Sequence, residues 1–190
     1  MKVFEMILSE QELEFGMNII SIVDTPATDE EYIMMSEQQL ENVQLASDEE
    51  RQMLYGVVLQ PDKKVLRIPK DGSEPYYIMF SRNTVRDVSR RFLTQGKQGN
   101  VDLEHSKEIL EGVDITESWL VEDSKLDKAV ALGLNVTDGD WIVGTYVSDK
   151  KLWGELKDSK KTGFSVDGVL HRKEVLKNPV DILMSAFNIK

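Results

Sequence analysis

Short runs of β-branched and aromatic residues recur along this chain, and turn residues close each before it reaches helical length. Met17-Asn-Ile-Ile-Ser-Ile-Val-Asp24 is a clear case. It stops at Thr25-Pro26, because proline has no N–H to give a central ladder. Similar strands are expected at 2–8, Tyr32–Met35, 52–59, 65–68, 75–80, 100–105, 114–121, 141–147, 163–170 and 180–187, with a further short one over Ala129–Leu134. Pro61–Lys64 reads as the turn of a hairpin spanning 52–68.

Helical spacing is clearest in two segments. Ser81 can cap a helix through Thr94, with Val85, Val88 and Phe92 on one stripe and Gly96 just beyond its end. Its other face carries Arg82, Arg86, Arg90 and Arg91, which are expected to be solvated. Ser148 or Asp149 opens a second, short helix bearing Leu152, Trp153 and Leu156. Many short strands, few helices and no βαβ rhythm predict an α+β fold. Its core would be mostly antiparallel β-sheet, barrel-like, with two or more flanking helices. Residues 36–52 are acidic and polar and read as a linker with a helical end, where Ser47 and Glu50 form a capping box. The expected division is therefore 1–46, N-terminal strands and acidic linker packed on the main sheet, and 47–190, the main domain.

The formal net charge of −11 over 190 residues argues against a nucleic-acid partner or an anionic membrane surface. Cysteine is absent, which excludes disulfides, thiolate metal sites and a cysteine nucleophile. Met1–Ser9 holds a single lysine and an apolar run broken by Glu5. It does not read as a signal peptide, and no stretch approaches membrane-spanning length. With two histidines and no cysteine, no metal or other cofactor is expected.

The stretch Lys161-Thr-Gly-Phe-Ser-Val-Asp-Gly-Val-Leu170 places a serine near the start of a strand. A serine needs a base to become a nucleophile. His171 would lie about 20 Å from Ser165 if both occupied one straight strand. That leaves His105, at the end of Asn100-Val-Asp-Leu-Glu-His105, as the candidate base. The other reading is a turn serine and a structural histidine. The stretch is not the nucleophile elbow of α/β-hydrolases, which needs glycine where Asp167 stands. A Walker-type lysine loop and a His-Glu-x-x-His pattern are both lacking.

A third group usually holds the base in its tautomer. Glu117 shares a strand face with Ile115, Trp119 and Val121, and a carboxylate there needs a partner. A hairpin over 100–121 centred near Glu111-Gly112 would set position 105 opposite 117. The alternatives are Glu117 at a wet sheet edge, or Asp24 or Asp167 in the same role. Glu104 is expected to point away from the face of His105.

Taken together, several segments resemble the tailed-phage prohead serine proteases of the XkdF type. They are Tyr55–Arg67, Pro75–Ser81, Asp102-Leu-Glu-His105, Glu117–Asp123 and Gly163-Phe-Ser-Val-Asp-Gly168, with Ile20–Ala27 beside them. The likeness covers roughly residues 17–170. It implies a fold related to the herpesvirus assemblins, and endopeptidase activity on phage scaffold and major capsid proteins, and on the chain itself. The place implied is the assembling prohead in the host cytoplasm. His105 carries over as the base and Ser165 as the nucleophile. The third member has no direct match. Related phage proteases place an acidic residue after the serine, near a Ser-x-Val-x-x-Pro-Ala-like segment, whereas that segment here is N-terminal, around Ser21–Ala27. A permuted strand order would account for this. Neither nucleic acid nor membrane is among the implied partners, and self-association is left open.

Two further functional classes compete with the protease. One is a structural or scaffolding component of the same virion module with an idle Ser/His pair. The other is a small adaptor whose acidic surface meets basic partners.

Overall fold

Alternation of apolar and polar residues sets the strands, and burial on both faces sets the exceptions. The computed structural model of the chain describes residues 1–9, 15–24, 45–48, 51–69, 71–158 and 163–175. Its strands are β1 (Val3–Ile7), β2 (Gly16–Val23), β3 (Leu45–Asp48), β4 (Met53–Leu59), β5 (Val65–Arg67) and β6 (Tyr76–Phe80). They continue with β7 (Val101–Leu103), β8 (Val113–Leu120), β9 (Trp141–Val147), β10 (Gly163–Val169) and β11 (His171–Glu174). The helices are α1 (Arg82–Thr94), α2 (Lys128–Ala131) and α3 (Lys150–Asp158).

Among the described residues the strands form three sheets, ordered β11-β1-β6-β5, β10-β2-β7 and β3-β4-β9-β8. Only β1 with β6 and β2 with β7 run parallel, and the other pairs are antiparallel. The class is α+β and mostly β-sheet, but the sheets do not close into a barrel.

Helix α1 is built as its spacing predicts. Ser81 Oγ accepts from the Thr84 amide at 3.3 Å, and Gly96 follows the C-cap at φ +69°. Its stripe of Val85, Val88 and Phe92 is fully buried and packs on β2. Ile20, Ile22, Phe164 and Val101 of the β10-β2-β7 sheet meet this helix in the main core, together with Trp141 and Val143 of β9. Burying each such side chain contributes roughly 1.5–3 kcal/mol. Strand β4 is buried along its whole length because Leu54 and Val58 face that core while Met53, Tyr55 and Val57 face a second cluster with Val121, Leu134 and Ile142.

Pairing, more than element type, departs from expectation. Residues 52–68 do not form a hairpin: β4 pairs with β3 and β9, and β5 pairs with β6. Ser47 does not cap a helix but lies in β3 opposite Leu54, where the free edge of β4 offers it a ladder. Of the strand expected over Ala129–Leu134, residues 128–131 are helical, capped by Asp127, whose Oδ1 accepts from the Ala129 amide at 2.8 Å. Arg91 is not simply solvated, since its Nη1 donates to the carbonyls of Ser9 and Phe15. The strands expected at Tyr32–Met35 and 180–187, and the linker over 36–44, lie outside the described residues.

Candidate active site

Ser165 follows Phe164 in β10, and alternation sends Phe164 into the core and Ser165 to the opposite face. Directly across the ladder stands Ser21 of β2, between the core residues Ile20 and Ile22. On the other side of β2, Ser21 is in register with Asp102 of β7. Paired residues share a sheet face, so Ser165, Ser21 and Asp102 make one polar row across three strands. All three are buried, with relative exposures of 8%, 0% and 1%. Ser165, on one of the two outer strands of this sheet among the described residues, is the most open of the row.

Local features lock this register. Gly168 packs so tightly on β2 that a Cβ there would stand 2.3 Å from the Gly16 carbonyl oxygen. The ladder shifts at this point and leaves Asn18 of β2 without an opposite residue. Lys97 Nζ takes the Asn18 side-chain oxygen at 2.7 Å, and Asn100 Nδ2 takes its carbonyl at 2.9 Å, which anchors the approach to β7.

The strand carrying the histidine ends earlier than expected. It stops at Leu103, and Glu104, His105 and Lys107 all adopt left-handed backbone, at φ 53°, 55° and 64°. Each such non-glycine conformation costs on the order of 1–3 kcal/mol and persists only where its surroundings over-determine it. Here they do. The Glu104 amide donates to Ile22 O at 3.1 Å, the Glu104 carboxylate accepts from the Asp24 amide at 2.6 Å, and the Lys107 amide donates to Asp102 Oδ2 at 2.8 Å. This tight turn folds His105 back over the row, with its Nδ1 at 3.0 Å from Ser21 Oγ. Its Nε2 is buried and has no hydrogen-bond partner among the described residues, and the same holds for Asp102 Oδ1.

The other candidates lie elsewhere. Glu117 is not opposite position 105. The expected hairpin does not form, because β7 pairs with β2 and β8 with β9, and Glu117 faces Gly144. Its carboxylate accepts from Tyr55 Oη at 3.0 Å and is ion-paired with Lys128. The Lys128 bond, with help from Tyr55, holds the Glu117 carboxyl below the usual carboxylate range against the opposing effect of burial. Asp24 is exposed, next to the Glu104 carboxylate that takes its amide. Asp167 is half-buried, two residues along β10 from Ser165. His171 starts β11, opposite Ile7 in a different sheet, and stacks on Phe15 at 4.5 Å.

Ser21 and Asp102 were missed as site residues. The available signal was a lone polar residue inside each apolar run, Ile-Ser-Ile and Val-Asp-Leu. Only the pairing of β2 with both β10 and β7 shows that the two belong together.

A row of two serines and a carboxylate under a histidine can bind, orient and move one proton at a buried serine, as hydrolases that form acyl-enzymes require. No curated protein and no solved structure matches the chain. Residues 39–174, most of the chain including Asp102, His105 and Ser165, match the family described as "Putative phage serine protease XkdF", and the chain belongs to that family.

Proposed function

We propose that this protein is a serine endopeptidase of phage prohead maturation, cutting scaffold and capsid proteins and its own chain, with Ser165 as nucleophile and His105 as general base. The observation that carries this reading is the buried, unpartnered His105 Nε2 in a site whose polar row includes Ser165. A base nitrogen is useful only where no other group has claimed it.

In the proposed reaction, Ser165 Oγ attacks the carbonyl carbon of the scissile peptide as its proton passes to His105 Nε2. The resulting oxyanion collapses, the C–N bond breaks, and the amine leaves with the proton from His105. Water then attacks the acyl-serine ester and gives a proton to His105. The C–Oγ bond breaks, the new carboxyl is released, and the proton returns to Ser165.

The expected result is that Ser165→Ala abolishes cleavage of co-expressed scaffold, read as a mass-spectrometric map of cuts, and abolishes labelling by a fluorophosphonate while the fold is retained by circular dichroism. Cleavage retained by Ser165→Ala would refute the assignment. Failure of both cleavage and labelling in the wild type would favour the idle-pair structural component instead.

The contact of 3.0 Å with His105 favours one second reading, in which Ser21 is the nucleophile. Its complete burial on the central strand speaks against this, since a substrate carbonyl must reach the attacking oxygen. Peptide mapping of the fluorophosphonate adduct separates the two.

A further inference from the structure

We infer that Ser21 is the positioning residue of the site: its hydroxyl accepts a hydrogen bond from the Nδ1–H of His105 and directs its own proton toward Asp102 Oδ1, leaving Nε2 as the basic nitrogen. This rests on the reading of His105 as the general base. The orienting position in such sites is ordinarily filled by a carboxylate in direct contact with the imidazole. Here a neutral hydroxyl sits in that contact, and the carboxylate stands one strand further away.

The proton arrangement follows from what surrounds each atom. The bond between Ser21 Oγ and His105 Nδ1 can run in either direction, because both groups can donate or accept. If Oγ donated, Nε2 would carry the ring proton as a buried N–H with no acceptor, and orphaned buried N–H groups are the rarer and costlier kind. If Nδ1 donates, Nε2 keeps a lone pair, the form a base requires. Ser21 then has a proton of its own to place, and it is fully enclosed.

Asp102 meets that need. It is the in-register neighbour of Ser21 on β7 and is buried at 1% exposure. Its Oδ2 is already taken by the Lys107 amide, while Oδ1 is buried without a partner. An isolated buried carboxylate oxygen is expensive, and a serine hydroxyl can accept from one group while donating to another. In the structure Ser21 Oγ holds His105 Nδ1 and Asp102 Oδ1 takes no hydrogen bond, so the full Asp102–Ser21–His105 relay forms when the Asp102 carboxylate closes on the Ser21 hydroxyl while that contact is kept. The turn that brings Lys107 to Oδ2 is the same strained turn that delivers His105. One device thus sets both ends of the relay.

The test uses the full chain, whose two histidines make imidazole ¹⁵N NMR readable once His171→Gln assigns the second signal. In the wild type, His105 should appear at neutral pH as the tautomer with Nδ1 protonated and Nε2 bare. Ser21→Ala should shift it toward the Nε2–H tautomer. It should also lower the fluorophosphonate labelling rate at Ser165 by about 10²- to 10⁴-fold, the range for loss of a correctly held base. Scaffold cleavage should show the loss in kcat with KM little changed.

A wild-type His105 found in the Nε2–H form overturns the inference, and this measurement needs no variant to fold. A folded Ser21→Ala that labels at the wild-type rate overturns it too, as does an adduct found on Ser21. Failure of the protease reading looks different: wild type unlabelled, or Ser165→Ala still cutting, whatever the tautomer of His105.

Discussion

Charge works in opposite directions at Glu117 of β8 and at Asp140, just before β9. Glu117 is held below its ordinary 4.5 chiefly by Lys128, so the folded protein has released this proton while the unfolded chain still binds it. The stability it contributes is present above 4.5 and is lost as pH falls through the lowered value. Its side chain is 37% exposed, so screening limits the contribution to about 0–1 kcal/mol. Asp140 is the reverse case. Burial raises its carboxyl above 3.8, against hydrogen bonds from Thr137 and Gln60. The folded state keeps that proton where the unfolded chain has lost it, and stability drains as pH rises from 3.8 through the raised value. Denaturant melts across pH should therefore show Glu117→Gln flattening the acid-side loss and Asp140→Asn flattening the decline above 3.8. Slopes unchanged in both variants would contradict these assignments. The carboxylate of Glu117 was visible in the sequence as one in need of a partner. Which partner it has, Lys128 or His105, depended on a register that the spacing could not set.

Elements were the most legible level, and their pairings the least. The apolar runs place β1, β2, β4 and β9 closely, and the stripe and caps place α1. Strand pairing overrode local reading at Ser47 of β3, opposite Leu54, and the Asp127 cap started a turn of helix at residues 128–131. In β10 the glycine after the serine has a physical reason that only packing reveals. A methyl on Gly168 would meet Gly16 O at 2.3 Å and Met17 Cα at 2.8 Å, and both are backbone atoms that cannot rotate away. Gly168→Ala is expected to cost about 1–3 kcal/mol by overpacking, read as a lower denaturant midpoint. It should also slow fluorophosphonate labelling, because the Ser165–Ser21 register depends on this approach. A variant as stable and as reactive as wild type would show that the strands yield more easily than their geometry suggests.

The whole molecule joins what the sequence separates. Strand β2 is the centre of the β10-β2-β7 sheet, and β1 lies between β11 and β6. A chain cut to residues 47–190, the division that composition suggests, would lose the middle strand of the site and Ser21, the central residue of the polar row. Its expected behaviour is no cooperative unfolding transition and no labelling at Ser165. A folded, reactive fragment would mean that residues 1–46 are an accessory. The sequence by itself determined most element types, the α+β class, the lack of cysteine chemistry, and a serine and a histidine worth bringing together, because these depend on local periodicity and side-chain identity. Tertiary structure alone decided that Ser21 stands between Ser165 and Asp102, that His105 turns back onto Ser21, and that Glu117 belongs to Lys128. Those facts depend on which strands pair and in what register. Such pairing is won by burial summed over the whole core, which no single stretch of the chain encodes.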